Sequence, residues 1–220
     1  NGGSMNEIIL HNYFRSSTSY RVRIALKLKG LDYRYVAHHL RHGGNRAPGY
    51  LAVNPQGLVP ALVWSDGTVM AQSLAIIEFL DEVAPEPPLL PADPHGRARV
   101  RMLSQMIACD IHPLNNLRVL NALRSRYGAD DAEIADWFRH WVDETFAPLE
   151  TMLAASPLTG RFCHGDRPGM ADICLVAQVA NNGRFNVDMT RYPVISAIRD
   201  ACMELPAFAE AAPARQPDAE

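Results

Sequence analysis

Short apolar runs alternate with amphipathic stretches over the first 84 residues of the chain. The pattern predicts six elements: strands over residues 7–13, 33–37, 61–64 and 68–70, and helices over residues 17–28 and from Ser73 onward. Gly30 lies just past the first helix, where glycine commonly ends a helix. Asp66 and Gly67 form a hairpin turn signal between the last two strands. This order of elements predicts a small α/β domain of βαβ–ββα type.

The pattern changes beyond residue 84. Five prolines lie within residues 85–94, and proline disfavours the interior of both helices and strands. Four later stretches have helical periodicity and few strand signals: residues 97–126, 131–155, 170–182 and 192–204. We therefore expect an α/β domain over residues 5–84, a linker over residues 85–94 and an all-helical domain over residues 95–220.

Composition narrows the class of protein. Hydrophobic residues make up 48% of the chain, enough for a buried core, and the net charge of −3 gives no reason to expect nucleic acid or an anionic membrane as partner. No apolar run is long enough to span a bilayer. Residues 1–4 resemble a cloning remnant and Met5 a native start, so we expect no signal peptide and a cytoplasmic protein.

The chain has four cysteines, Cys109, Cys163, Cys174 and Cys202, and no two of them form a CxxC pair. This spacing favours free thiols over disulfides or a metal site.

Three hydroxyl residues stand where the first strand gives way to the first helix. Ser16, Ser17 and Thr18 follow Arg15 directly. The first turn of a helix carries unpaired N–H groups and partial positive charge, so it favours an anion such as a thiolate. This stretch contains no cysteine, so a thiolate held there must arrive on a ligand. That requirement indicates glutathione.

Two further motifs fit a peptide ligand. Pro60 precedes a predicted strand, and the Val59–Pro60 bond is either an ordinary trans bond or a cis bond that exposes the Val59 backbone to a ligand. Gln72 and Ser73 open the next helix. Ser73 is expected to cap that helix, to hold a carboxylate at its N-terminus, or to do both.

Together these motifs resemble the zeta class of the glutathione transferase superfamily. The similarity runs over nearly the whole chain and rests on these segments: FRSSTSYRVRIALKLKG, NPQGLVPAL, QSLAIIEFLDE, LLPADPHGRARVR, CDIHPLNNLRVL, GDRPGMADICLVAQV, RFNVDMTRYPVI and RQPD. The resemblance implies a thioredoxin-like α/β N-terminal domain that binds glutathione, an all-α C-terminal domain that shapes the second-substrate pocket, and a homodimer.

The resemblance also assigns roles by position. It places Ser16 and Ser17 at the glutathione sulfur, Val59 at the cysteinyl backbone, Gln72 and Ser73 at the γ-glutamyl end, and His112 and Asn116 near the glycine carboxylate. From the residues alone, His112 is equally compatible with a helix-packing histidine. His112 and Asn116 are four residues apart, so they share a helix face.

The chain departs from the family pattern at two positions. Thr18 stands where the pattern usually has cysteine, which excludes a thiol-based role there and leaves Thr18 as a further hydroxyl donor. Gly169 stands where the pattern has a capping Ser or Thr, which costs a few tenths of a kcal/mol. We expect nearby Asp172 to be a capping and folding residue.

The activity that the resemblance implies is glutathione-dependent cis–trans isomerisation of maleylacetoacetate to fumarylacetoacetate, in the breakdown of aromatic amino acids. The thiolate adds reversibly to the double bond, and arginines bind the dicarboxylate. The candidates are Arg15, Arg118 and Arg184, although an ideal helix puts Arg118 about 120° from His112. Alternatives are maleylpyruvate as substrate, conjugation of small α-haloacids, and a non-catalytic scaffold. A disulfide reductase is disfavoured because the helix start lacks cysteine.

The histidines at positions 38, 39 and 42 suggest a metal site at first sight. Neighbouring residues of a strand point to opposite faces, so these side chains are expected on the surface or as loop contacts with glutathione. We expect no metal.

Overall fold

The computed structural model describes residues 7–220, which form two compact units. One unit contains the chain up to Leu89 together with Leu205–Glu220, and the other contains Leu90–Glu204. The predicted remnant at residues 1–4 and the start at Met5 lie outside the described residues. The domain boundaries expected from the sequence stay a prediction.

The first unit is built on a four-stranded sheet. Its elements are β1 (Ile9–Asn12), α1 (Ser17–Leu28), β2 (Arg34–Ala37), α2 (Pro48–Val53), β3 (Ala61–Val63), β4 (Val69–Ala71) and α3 (Ser73–Val83), with α10 (Pro206–Glu210) from the far end of the sequence. The strand order is β2-β1-β3-β4. β1 pairs parallel with β2 and antiparallel with β3, and β3 pairs antiparallel with β4.

Burial of the central strands explains why these residues form a sheet. Leu10 of β1 lies opposite Leu62 of β3, and neither side chain is exposed to solvent. α1 packs against α3, and Ile24 and Ile77 of these helices are also fully buried. Both ends of the loop between β1 and α1 are therefore fixed, one by a buried strand and the other by a buried helix.

The last residues of the sequence pack on α1 in the same unit. The Tyr20 hydroxyl donates to the carbonyl of Phe208 at 2.9 Å, and the Lys27 ammonium lies 2.8 Å from a Glu210 carboxylate oxygen. These contacts explain why residues 205–220 group with the α/β unit, although the sequence pattern placed them with the helices.

Two short helices, α2 and α10, were missed by the sequence pattern. They have six and five residues and begin with Pro48 and Pro206 at the first helical turn. A helix of that length has too few turns to produce an amphipathic period, so only the N-terminal proline signalled it.

The second unit is helical. Its α-helices are α4 (Pro94–Gln105), α5 (His112–Asn115), α6 (Leu117–Tyr127), α7 (Asp131–Ala155), α8 (Met170–Asn182) and α9 (Pro193–Met203). Phe138 and Phe146 of α7 and Ile173 of α8 are fully buried in its core. Across residues 7–220, no helix combines the length and apolar character that a membrane crossing requires.

The predicted continuous helix over residues 97–126 is wrong. α4 runs into a π-helical turn, Met106–Ile111, and the chain then leaves helical geometry at Asn116 (φ −64°, ψ 145°). Asn116 caps α6, because its side-chain oxygen accepts from the Arg118 N–H at 3.1 Å. Hydrophobic spacing alone does not register such a break, since both helices keep a buried face.

Candidate active site

Ser16 begins the site as the N-cap of α1. Its backbone is extended (φ −68°, ψ 118°), and its Oγ accepts a hydrogen bond from the Ser19 N–H at 3.1 Å. Asp and Glu are absent from the first turn of α1, so the partial positive charge of the helix end is not neutralised there. The sequence predicted this position as an anion site.

A chain of hydroxyls links α1 to the loop before β3. The Thr18 hydroxyl donates to the Val59 carbonyl at 3.0 Å, and Ser16 Oγ lies 2.9 Å from Thr18 Oγ1. Because the one proton of Thr18 is used on Val59, the proton in the Ser16–Thr18 contact comes from Ser16. The Ser16 hydroxyl is therefore a donor. When an anion binds, this hydroxyl can turn from Thr18 and donate to the anion instead.

The loop that Thr18 reaches contains a cis peptide bond between Val59 and Pro60, so the cis alternative is the one observed. Val59 is buried in a cluster with Tyr13, Phe14 and Tyr50. The strand-to-helix loop and the Val59 loop thus share one apolar base.

The start of α3 differs from the prediction. Gln72, not Ser73, is the N-cap, and Ser73 is the first residue of the helix. Gln72 has φ +70°, which costs a non-glycine residue about 1–3 kcal/mol. Its side chain donates to Gln56 Oε1 at 3.2 Å, while Ser73 Oγ accepts from Arg21 Nη1 at 3.2 Å. Strain of this kind is concentrated at binding sites.

Arg15 lies on the solvent side of the same loop. Its guanidinium is 5.0 Å from the Phe14 ring centroid and 3.9 Å from a Glu220 carboxylate oxygen. Glu220 also contacts His39 Nε2 at 2.6 Å, and this hydrogen bond lowers the pKa of the Glu220 carboxyl. The ion pair between Arg15 and Glu220 is long and partly exposed, and it is therefore weak. Arg15 can leave Glu220 and bind the carboxylate of a ligand instead.

Sequence reasoning missed two residues that hold this loop in place. Asp218 accepts from the Phe14 N–H at 3.2 Å and from the Tyr35 hydroxyl. Arg23 is fully buried and donates to the Phe14 carbonyl and the Ala211 carbonyl, each at 3.0 Å. The only sequence signal for Asp218 was its place in the RQPD segment.

In the second unit, the structure brings His112 and Asn116 together. His112 Nε2 lies 3.3 Å from Asn116 Nδ2, so the two predicted neighbours do share a surface. Arg118 is exposed at the start of α6, and the break at Asn116 removes the ideal-helix angle expected between it and His112. Arg184 is exposed on a 3-10 turn, Gly183–Phe185, and donates to Asn181 Oδ1 at 3.3 Å.

Of the three histidines expected on the surface or as loop contacts, His38 is half-buried against neighbouring side chains. Its Nε2 lies 2.8 Å from His11 Nδ1, and its ring lies 4.0 Å from that of Tyr50. Burial, with the neighbouring His38 and Arg34 charges, lowers the pKa of His11 to about 4. Within residues 7–220, no group of three or more His, Cys, Asp or Glu side chains is arranged to hold a metal ion.

Comparison with known proteins identifies this arrangement. Residues 15–83 match the model of the glutathione S-transferase N-terminal domain. A maleylacetoacetate isomerase of Pseudomonas aeruginosa is 47% identical over 211 residues, which cover 95% of this chain and 97% of that protein. A solved bacterial maleylpyruvate isomerase of the zeta class superimposes with a TM-score of 0.94 at 50% identity, covering 96% of this chain and all of that one. The chain belongs to the zeta class of the glutathione S-transferase family.

Membership of the family confirms the predicted fold class, an α/β N-terminal domain followed by a helical region. A second solved structure, a maleylacetoacetate isomerase from Methylobacterium extorquens AM1 with bound malonate and GSH, superimposes with a TM-score of 0.93. It is 42% identical and covers 96% of this chain and 99% of its own.

The family's capping position before α8 is occupied by Gly169, which offers no side chain to the helix. Buried Asp172 compensates, because its carboxylate accepts from the Gly169 N–H and the Cys163 N–H, each at 2.8 Å. Burial raises the pKa of the Asp172 carboxyl, while these hydrogen bonds oppose the rise. The predicted capping role of Asp172 is confirmed.

Proposed function

We propose that this zeta-class chain is a glutathione-dependent cis–trans isomerase that converts maleylacetoacetate to fumarylacetoacetate. The observation that carries the proposal is the hydroxyl donor of Ser16 at an α-helix N-terminus that no acidic residue neutralises. The 47% identity to a maleylacetoacetate isomerase over nearly the whole of both chains supports the choice of substrate.

Glutathione supplies the sulfur. In this proposal its thiolate lies at Ser16, with Ser17 as a secondary donor. Thr18 was predicted as a further donor, but its proton is used on the Val59 carbonyl, so its role is to support Ser16. The remaining contacts are those implied by family membership: Val59 for the cysteinyl backbone, Gln72 and Ser73 for the γ-glutamyl end, and His112 and Asn116 for the glycine carboxylate.

The energetics require both the helix and the hydroxyl. A free cysteine thiol has a pKa of about 8.5, and making the thiolate dominant at pH 7 needs about 2.7 kcal/mol of differential stabilisation. The end of a helix supplies about 0.3–1 kcal/mol, and a hydrogen bond to a charged acceptor about 1.5–3 kcal/mol. The helix end alone falls short, and the hydrogen bond reaches the required value only at the top of its range, whereas the two together span about 1.8–4 kcal/mol, which includes it.

The reaction proceeds by addition and elimination. The thiolate forms a C–S bond to one carbon of the cis double bond, and the electron pair moves to the neighbouring carbonyl as an enolate. Rotation about the new single bond follows. The enolate then re-forms the double bond, now trans, and the C–S bond breaks to return the thiolate. Arg15, Arg118 and Arg184 are the proposed partners of the substrate carboxylates and the enolate.

Maleylpyruvate is the second candidate substrate, because the solved maleylpyruvate isomerase is 50% identical to this chain. The same addition and elimination applies to this shorter keto diacid. The three arginines suit either compound, since both present two carboxylates.

The test offers maleylacetoacetate and maleylpyruvate separately, each with glutathione, with S-methylglutathione and with no thiol. We expect turnover only with glutathione, because the methylated sulfur cannot form the adduct. Turnover that persists without a free thiol contradicts the mechanism. The ratio of kcat/KM values for the two compounds decides between the substrates.

We also propose that the protein acts as a homodimer in the cytoplasm, in aromatic amino acid catabolism. The first unit exposes Val69 on edge strand β4 and Val83 at the end of α3, which is consistent with an interface on that unit. Light scattering after gel filtration should give twice the mass of one chain, and a monomer mass contradicts the dimer.

A further inference from the structure

Arg21 of α1 is buried without a counter-charge. Its side chain is 1% exposed and makes one side-chain hydrogen bond, from Nη1 to Ser73 Oγ at 3.2 Å. Nε and Nη2 donate to nothing in the described part of the chain, and no carboxylate there pairs with the guanidinium. The site thus has an unneutralised positive charge beneath the start of α3.

Arg23, two residues further along the same helix, shows what a satisfied buried arginine looks like. It is equally buried, and all three of its nitrogens donate: Nε to Ala211, Nη1 to Asn12 and Nη2 to Phe14. A buried charge that lacks such partners is costly, and an orphaned buried donor calls for a water, ligand or ion that completes it. Arg21 therefore needs an anion that the chain itself does not provide.

The hydrogen bond from Arg21 determines which way the Ser73 hydroxyl can donate. A serine hydroxyl has one proton and two lone pairs, while arginine only donates. Because Ser73 Oγ accepts from Arg21, the Ser73 proton remains available for an acceptor on the other side. Ser73 is the first residue of α3, an 11-residue helix whose unpaired N–H groups favour the same negative charge.

We propose that Arg21 is a positioning residue for glutathione, which turns the Ser73 hydroxyl outward as a donor and supplies the charge that the α-carboxylate of the γ-glutamyl group neutralises. Arg21 acts through Ser73 and does not itself contact the reacting sulfur. This inference rests on the proposed function, because it takes glutathione as the ligand.

The experiment compares two ligands on the same variants. Calorimetry measures the Kd of glutathione and of γ-aminobutyryl-cysteinyl-glycine, which lacks only the α-carboxylate, for wild type, Arg21→Met and Arg21→Lys. We expect Arg21→Met to weaken glutathione about tenfold or more while the analogue changes less than about twofold. Arg21→Lys keeps the charge and should recover part of the loss.

Arg23→Met is the matched control, since it removes a buried arginine whose three nitrogens all donate within the protein. We expect it to lower the thermal midpoint and to leave the ratio of the two Kd values unchanged. If Arg21→Met weakens both ligands by the same factor, or neither, Arg21 is structural and the proposal fails.

A second measurement does not depend on the folding of Arg21→Met. In wild type with isotope-labelled arginine, NMR should show the Arg21 Nε–H signal shifting on saturation with glutathione and staying in place with the analogue. An unmoved signal with bound glutathione overturns the proposal for Arg21 and leaves the isomerase function standing. Failure of wild type to bind glutathione at all overturns the proposed function instead.

Discussion

Thr18 shows how one substituted residue can preserve a site. It occupies the position where the family pattern has cysteine, and its hydroxyl connects Ser16 to the Val59 carbonyl. A thiol is a weak donor and a weak acceptor, so cysteine cannot make both hydrogen bonds as well. The hydroxyl therefore fixes α1 to the Val59 loop and gives the Ser16 proton a resting acceptor.

Replacing Thr18 by valine should weaken this connection. Thr18→Val keeps the shape and removes both hydrogen bonds, so we expect the free energy of unfolding to fall by about 1–3 kcal/mol and the KM for glutathione to rise. Thr18→Ser, which retains the hydroxyl, is the matched control. Urea unfolding and initial rates measure the two effects, and wild-type values for Thr18→Val contradict the role given to the hydroxyl.

At the scale of elements, the loop between β1 and α1 is held from the far end of the sequence. The Asp218 carboxylate accepts a hydrogen bond from the Phe14 N–H, 204 residues away in the sequence. It also accepts one from the hydroxyl of Tyr35 in β2. These bonds keep the loop that carries Arg15 and Ser16 in one conformation. The burial of Tyr35 and its bond to Asp218 raise the pKa of the Tyr35 hydroxyl, which therefore stays a donor at neutral pH.

Asp218→Asn tests this clamp. The amide keeps the shape but has only one oxygen to accept from two donors, so we expect kcat/KM to fall and unfolding to become easier by about 1–3 kcal/mol. Asp200→Asn, an exposed carboxylate in α9, is the control and should change neither value. Equal behaviour of the two variants would show that the Asp218 side chain does not clamp the loop.

The elements differ in how far the sequence alone predicts them. α1 and α3 were readable because each combines a local start signal with a sustained amphipathic face. The break at Asn116 was not, because the hydrophobic period continues across it, and the short α2 was not, because six residues are too few to produce an amphipathic period. Likewise Ser16 and Val59 lie in local motifs, whereas the role of Arg21 depends on Ser73, which only the packing of α1 on α3 brings near.

For the whole molecule, stability should depend on pH through His11. Its folded-state pKa of about 4 lies below the ordinary value of 6.5, so the unfolded chain binds more protons between these two pH values. Native stability is therefore fully present above pH 6.5 and is lost as the pH falls towards 4. The contact with His38 strengthens the effect, because two imidazolium ions would repel each other.

We expect the free energy of unfolding to drop by about 1–2 kcal/mol between pH 6.5 and 4 because of this residue, after allowance for its partial exposure. His11→Gln should flatten that part of the pH profile, and the exposed His95→Gln should not. Urea unfolding at a series of pH values measures the slope. Identical slopes for wild type and His11→Gln would disprove the assignment.

The central claim is that Ser16 and the N-terminus of α1 keep the sulfur of glutathione ionised, and one titration tests it directly. The ultraviolet absorbance of the thiolate is followed against pH in the glutathione complexes of wild type and Ser16→Gly, since glycine still caps the helix but carries no hydroxyl. We predict that the bound thiol in wild type titrates about two units below the free thiol pKa of about 8.5, and that Ser16→Gly moves the pKa back by about one unit or more. A bound sulfur that titrates like free glutathione in wild type, or equally in both proteins, contradicts the account.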